Sequence, residues 1–213
     1  MVRKSLIIVI GLLVVLSLSS LACAQDVWAW NQFTKPYELF KYQITQYTSS
    51  WDYEVGEDVL KETRQLQTVE LRQVDDETTE VTIANTYDVP TNRLSDELSV
   101  MGMGLGWAMG AAEWVGEFMI LGLFGTELEL EVGSSMQTFD GSRIRVVEKQ
   151  TVAGVEGYFC TKSRREDDGS GNRVDILTTE LVIAPDVGWP LLVRVYKDDQ
   201  VRYIMELVEY ASR

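Results

Sequence analysis

From residue 37 onward, apolar and polar side chains alternate in short runs, the period of a half-buried strand rather than of a helix. Over 37–48, Phe40, Tyr42 and Ile44 fall on one face and Lys41, Gln43 and Thr45 on the other. Residues 63–74 and 78–89 predict a hairpin about Asp75-Asp76-Glu77, its second arm setting Val81, Ile83, Tyr87 and Val89 on one side. Residues 127–132 alternate Glu with Leu and Val, a half-buried strand, and Asp140-Gly141 predicts a tight turn into 143–150, where Ile144 and Val146 alternate with Arg143 and Arg145. Four more strands are predicted over 155–163, 173–184, 191–197 and 200–210, joined by 165–172, 185–190 and Asp198-Asp199. The four prolines, at 36, 90, 185 and 190, all fall between these runs, where no ladder donor is missed. Connections this short make successive strands antiparallel neighbours. The pattern predicts a mainly β (α+β) fold: a curved antiparallel sheet or half-barrel of about nine or ten strands, which must curl, split or close to hide its apolar side.

One stretch breaks the alternation. Across 98–124 the only charges are Glu113 and Glu117. Ser95 can cap a helix whose first turn holds Asp96 and Glu97, where the amide dipoles favour negative charge. A helical stripe then joins Leu98, Met101, Leu105, Ala108, Ala112, Val115 and Met119. Seven glycines between 102 and 125 weaken any such helix by about 1 kcal/mol each relative to alanine. Two short helices broken near Gly116 or Gly122 therefore fit better than one rod. Three roles compete for this insertion, residues 95–125. As a membrane span it would carry two glutamates near mid-depth and would split the strands between two sides of a bilayer. As a helical hairpin it would plug the curled sheet and be its core. As a lid over an incompletely filled cavity it would contact a greasy ligand through Met101, Met103, Leu105, Trp107 and Met109, and further on through Trp114, Phe118, Met119, Leu121 and Phe124.

The first residues read as an address. Arg3 and Lys4 precede an unbroken apolar run, and small residues follow before polar Gln25 and Asp26, the layout of an export signal. Ala22 and Ala24 suit signal-peptidase cleavage after Ala24, giving a signal peptide over 1–24 and a single domain over 25–213. Ser20-Leu21-Ala22-Cys23 is also a partial lipoprotein box, so Cys23 is a candidate lipidation site, and an uncleaved membrane anchor is the third reading. Each places the rest of the chain outside the cytoplasm, in the periplasm or beyond. Cys160 is then the only cysteine left, so the domain has no internal disulfide, and in Tyr158-Phe159-Cys160 it reads as a small buried hydrophobe.

Composition narrows the chemistry. The 213 residues carry 19 Lys and Arg against 33 Asp and Glu, a formal charge of -14, and loss of Arg3 and Lys4 with the leader makes the balance more acidic. Nucleic acid and anionic membrane surfaces are therefore not expected partners in bulk. There is no histidine, which excludes imidazole-based catalytic triads and His-ligated zinc or haem. The carboxylates at Asp75-Asp76-Glu77, Glu166-Asp167-Asp168 and Asp198-Asp199 lack the spacing of a calcium loop and suit solvated hairpin tips. Gly169-Ser170-Gly171-Asn172 lacks the lysine of a phosphate loop. No cofactor, no metal and no catalytic residue is expected; Glu113 and Glu117 are the only pair placed for carboxylate-dependent hydrolysis, and they equally suit the wet face of a lid. Trp28, Trp30 and Tyr37 suit either sugar or membrane-interface contact, or the docking of a short segment onto the domain.

The layout of leader, strands, hydrophobic insertion and long antiparallel run resembles the LolA/LolB/LppX-like superfamily of bacterial outer-membrane lipoprotein carriers. The local phrases that carry the likeness are Val152-Ala153-Gly154-Val155-Glu156-Gly157-Tyr158, and Leu181-Val182-Ile183-Ala184-Pro185-Asp186 running through Trp189-Pro190-Leu191 to Val195-Tyr196. The likeness spans about 33–210 in order and texture, with no functional motif that transfers residue by residue. It implies an open half-barrel with helices over its concave apolar face, and a non-catalytic role in binding a lipid or a lipoprotein acyl chain. Envelope proteins are the implied partners, with peripheral or lipid-anchored membrane association. The alternative is a structural or assembly protein of the cell envelope with a filled core and no ligand.

Overall fold

The computed structural model describes residues 26–30, 32–52, 55–88, 91–93, 128–167 and 170–213. They form eleven strands and one short 3-10 turn, Thr91–Arg93. Nine strands make one antiparallel sheet in the order β4-β3-β2-β11-β10-β9-β8-β7-β6. In chain order these are β2 (Tyr37–Asp52), β3 (Glu57–Gln73), β4 (Thr79–Tyr87), β6 (Ser135–Gln137), β7 (Arg143–Val152), β8 (Val155–Asp167), β9 (Arg173–Ile183), β10 (Leu192–Lys197) and β11 (Gln200–Ser212). The remaining pair, β1 (Val27–Trp28) and β5 (Leu128–Glu129), forms a separate two-stranded ribbon. The protein is mainly β, and the sheet is open, with β4 and β6 at its two edges.

Two meanders, β2 to β4 and β6 to β11, join where the first strand of one pairs with the last strand of the other. Tyr37 and Arg213 exchange backbone hydrogen bonds at 3.2 Å, with the Arg213 guanidinium over the Tyr37 ring at 4.7 Å. The hairpin turns follow local chemistry. Ala153 and Gly154 between β7 and β8, and Asp198 and Asp199 between β10 and β11, all have positive φ, as two-residue turns matching the strand twist require. Register shifts in the β7–β8, β8–β9, β10–β11 and β11–β2 pairs mark bulges at Val147, Thr178, Arg202 and Val208, which bend and twist a sheet.

Residues directly opposite in register share a face, so the core can be traced strand by strand. Ile44, Met205, Val193, Leu181, Cys160 and Val146 form one row across six strands, each at most 6% exposed. The N-terminal segment and the 184–191 loop cover this inner face. Trp28 Nε1 donates to the Val187 carbonyl at 2.8 Å, Trp189 packs on Phe33, Phe40 and Tyr42, and Tyr42 Oη donates to the Pro190 carbonyl. A Cβ on Gly188 would sit 2.6 Å from the Gln32 carbonyl, so only glycine lets loop and segment approach this closely.

Two predicted elements differ. The strand expected over 127–132 is reduced to Leu128–Glu129, because the chain turns at Gly133, whose φ is 95°, and enters β6. Leu128 and Leu130 are buried as their alternation predicts, but against the core through pairing with β1 rather than within the main sheet. Among the described residues no helix is long and apolar enough to cross a membrane. The helical insertion expected over 95–125 lies wholly outside the described residues, as does the export signal over 1–24.

Candidate functional site

The inner face has three zones, set by what lies over it. Between β7 and β2 it is buried beneath the N-terminal segment and the 184–191 loop. Toward β4 it continues in register through Phe40, Val69 and Ile83, and through Glu38, Leu71 and Val81. Phe40, Val69 and Leu71 are buried, but Ile83 is 59% and Val81 56% exposed. An apolar face thus extends past its described cover. At the opposite side, β5 stands off β6 and β7 around a cavity of about 300 Å³ lined by Leu128, Met136, Ile144 and Val146, with Glu129, Ser134 and Ser135. That is the lower end of the range for small-molecule pockets.

Among the described residues two charged side chains, Lys162 and Glu38, are buried on this face. Lys162 lies between Thr179 and Ile144 in register, its side chain 2% exposed. Its Nζ is 3.4 Å from Asp140 Oδ2. Asp140 caps its own turn: it accepts from the Ser142 amide at 3.0 Å, the Ser142 hydroxyl at 3.1 Å and the Thr138 hydroxyl. Burial pushes the Asp140 carboxyl up, but these hydrogen bonds and the Lys162 ammonium outweigh it and hold the group at about 2. The pair is a closed structural latch. Glu38, 1% exposed, accepts from Tyr210 Oη at 2.8 Å, and Lys35 Nζ donates to the same Tyr210 oxygen at 2.8 Å and to the Asp186 carbonyl. Burial raises the Glu38 pKa against the opposing effects of Tyr210 and Lys35, and its Oε2 has no hydrogen-bond partner. Both charges are in phase with the core, two residues from Cys160 and from Phe40, so period two signals their inward direction.

Cys160 is fully buried, as expected of a small hydrophobe, and burial pushes its thiol up to about 12, which leaves it unreactive. Trp28 is 2% exposed and stacks edge-on against Trp30 at 5.9 Å, so the N-terminal aromatics serve segment docking. Tyr158 Oη donates to Asp26 Oδ2 at 2.6 Å and ties the same segment to β8. The Asp75 and Asp198 clusters sit in hairpin turns, with the Glu77 amide donating to Asp75 Oδ1. Among the described residues no three acidic or cysteine side chains are grouped to hold a metal ion. All ten ligand-contact candidates, Met101, Met103, Leu105, Trp107, Met109, Trp114, Phe118, Met119, Leu121 and Phe124, lie outside the described residues, as do Cys23, Glu113 and Glu117.

No protein-family model matches the chain. No curated protein matches it either. Among solved structures it is similar to the crystal structure of MucB, at 10% identity and a TM-score of 0.32 over 83% of this chain and 53% of that one. The chain thus spans about half of MucB, and a likeness of that size carries no conclusion about function.

Proposed function

We propose that this chain is an exported, non-catalytic protein that holds a lipid or a lipoprotein acyl chain against the inner face of its sheet, in the manner of LolA-like half-barrel carriers. The observation that supports this reading is the run of the apolar face beyond its described cover, from buried Val69 and Leu71 to exposed Val81 and Ile83. The chain leaves β4 at that edge and returns as β5 on the inner face over β7, with the apolar stretch 98–124 between them. An acyl chain laid there removes Val81 and Ile83 from water at roughly 25 cal/mol per Å² of apolar surface covered. Export by the leader over 1–24, with cleavage after Ala24 or lipidation at Cys23, belongs to the same proposal.

A filled envelope assembly protein is the second reading. The small size of the β5–β7 cavity and the close cover by Trp28 and Trp189 favour it. Native mass spectrometry of the purified protein separates the two. The carrier reading expects a co-purifying lipid mass, uptake of a fluorescent fatty acid, and at least a fivefold loss of uptake in Ile83→Asp. An empty protein that takes up no fatty acid would overturn it and leave the assembly reading.

A further inference from the structure

A polar cluster fastens one corner of the cover over the inner face. Neither 32–36 of the N-terminal segment nor 184–191 of the loop is a strand, so side chains rather than a ladder hold them down. The two pack on each other, with Gly188 against the Gln32 carbonyl and Trp189 against Phe33, so lifting one disturbs the other. Lys35 ties both to the sheet. Its Nζ donates at 2.8 Å to the Asp186 carbonyl on the loop and at 2.8 Å to Tyr210 Oη on β11. Tyr210 donates in turn to Glu38 Oε1 on β2, and Lys35 Nζ is 4.0 Å from that oxygen. Segment, loop and two strands thus meet in one chain of hydrogen bonds that ends on a carboxyl group 1% exposed. When ionised, a carboxylate accepts about four hydrogen bonds in water. Here Oε1 receives one from Tyr210 and Oε2 receives none. The groups facing Glu38 are Lys35 from the segment, Tyr210 and Ser212 from β11, Leu71 from β3 and Tyr42 farther along β2. Asp186 is itself exposed and lends only its carbonyl to Lys35.

We propose that this cluster makes the cover tighten in acid: with Glu38 protonated the segment and loop lie closed on the inner face, and ionisation of Glu38 favours a lifted state in which water reaches its carboxylate. The sign follows from which state holds the proton more tightly. In the closed form burial raises the Glu38 pKa above 4.5 and outweighs the opposing effects of Tyr210 and Lys35, whereas a lifted cover restores the ordinary value. Closure therefore has its full advantage below 4.5 and loses it as pH rises through the closed-state value. Burial also raises Tyr210 and Tyr42, so both stay neutral hydroxyls across this range. Lifting uncovers Phe40 and Tyr42, which Phe33 and Trp189 shield in the closed form. The device sets access to the inner face whether or not a lipid is what enters.

The test is hydrogen exchange read by NMR on protein purified after expression of the full chain, without added lipid and with rates corrected for the intrinsic effect of pH. The probes are the Trp28 indole hydrogen, bonded to the Val187 carbonyl, and the Val187 amide, bonded to the Ala184 carbonyl, against the amides of β8 and β9 as reference. Protection of both probes is expected to fall by at least about threefold relative to the reference between pH 4 and pH 8. In Glu38→Gln it should stay at the acid value throughout. Lys35→Met removes the tie and should lower protection by about tenfold at both pH values. It should also widen the pH response, since no ammonium then offsets burial. Should Lys35→Met fail to fold, the carboxyl carbon-13 shift of Glu38 in the unaltered protein reads its titration, and a midpoint at or below 4.5 overturns the proposal. Protection that is flat or rises with pH, a pH response unchanged in Glu38→Gln, no loss in a folded Lys35→Met, or a loss shared equally by β8 and β9 would each overturn it as well.

Discussion

Strands β8 and β9 and strands β3 and β4 are both antiparallel hairpin arms written in alternating apolar and polar residues, yet one pair is core and the other is largely wet. In the first, Cys160, Leu181 and Ile183 are fully buried. In the second, Val81 and Ile83 are more than half exposed, and farther out on the β2–β3 hairpin Trp51 is 54% and Leu60 47% exposed. Alternation states which side chains share a face. Among the described residues that face is covered by the N-terminal segment and the 184–191 loop, which reach β7 to β2 and stop short of β4.

The largest expected contrast is in stability. Leu181→Ala leaves a cavity in the covered zone and should cost about 3 kcal/mol, whereas Leu60→Ala on the projecting hairpin should cost under about 0.5 kcal/mol. Urea unfolding of both variants measures this, and equal losses would mean that the hairpin is covered too. Next is the buried charge pair. Asp140→Asn leaves Lys162 without its carboxylate and should cost about 2–3 kcal/mol at neutral pH. Adding Lys162→Met should recover most of that loss. Because the Asp140 pKa is held below its ordinary 3.8, at about 2, its contribution is complete above 3.8 and is lost as pH falls through 2. The smallest effect, with the opposite sign, is at Glu38. Its folded pKa is raised above 4.5, so its neutral form stabilises at acid pH and that gain is lost as pH rises through the folded value. Glu38→Gln keeps an acceptor for Tyr210 and should stabilise the protein by about 1 kcal/mol at pH 7. The gain should vanish below pH 4.5, and a thermal-midpoint series against pH reads it directly.

Much of the sheet was legible in advance. Strand β2, the β3–β4 hairpin and the four C-terminal strands lie where alternation and turn residues put them, since both signals are local, but β2 runs on past 48 to Asp52 and β8 past 163 to Asp167, through the start of the loop expected over 165–172. β3 begins six residues earlier than its pattern suggests, because Val59 and Leu60 are adjacent and point to opposite faces, with no clean alternation to read. β6, three residues long with a polar residue at each end, carries too little pattern to register. For Trp28, ligand contact and segment docking were indistinguishable by residue type; the Val187 carbonyl, 159 positions away, decides for docking. Lys162 and Glu38 were in phase with the core, but nothing local to them announces Asp140 or Tyr210 as partners.

By itself the sequence determined the strand period, the turns, the face each side chain takes and the absence of imidazole chemistry, because these depend on residue type and nearest neighbours along the chain. Only the tertiary structure decided that β2 joins β11, how far the described residues cover the inner face, and which groups partner its buried charged side chains. Those outcomes rest on contacts such as Tyr210 to Glu38, 172 residues apart, and the energy of burial belongs to the assembled surfaces rather than to any one segment.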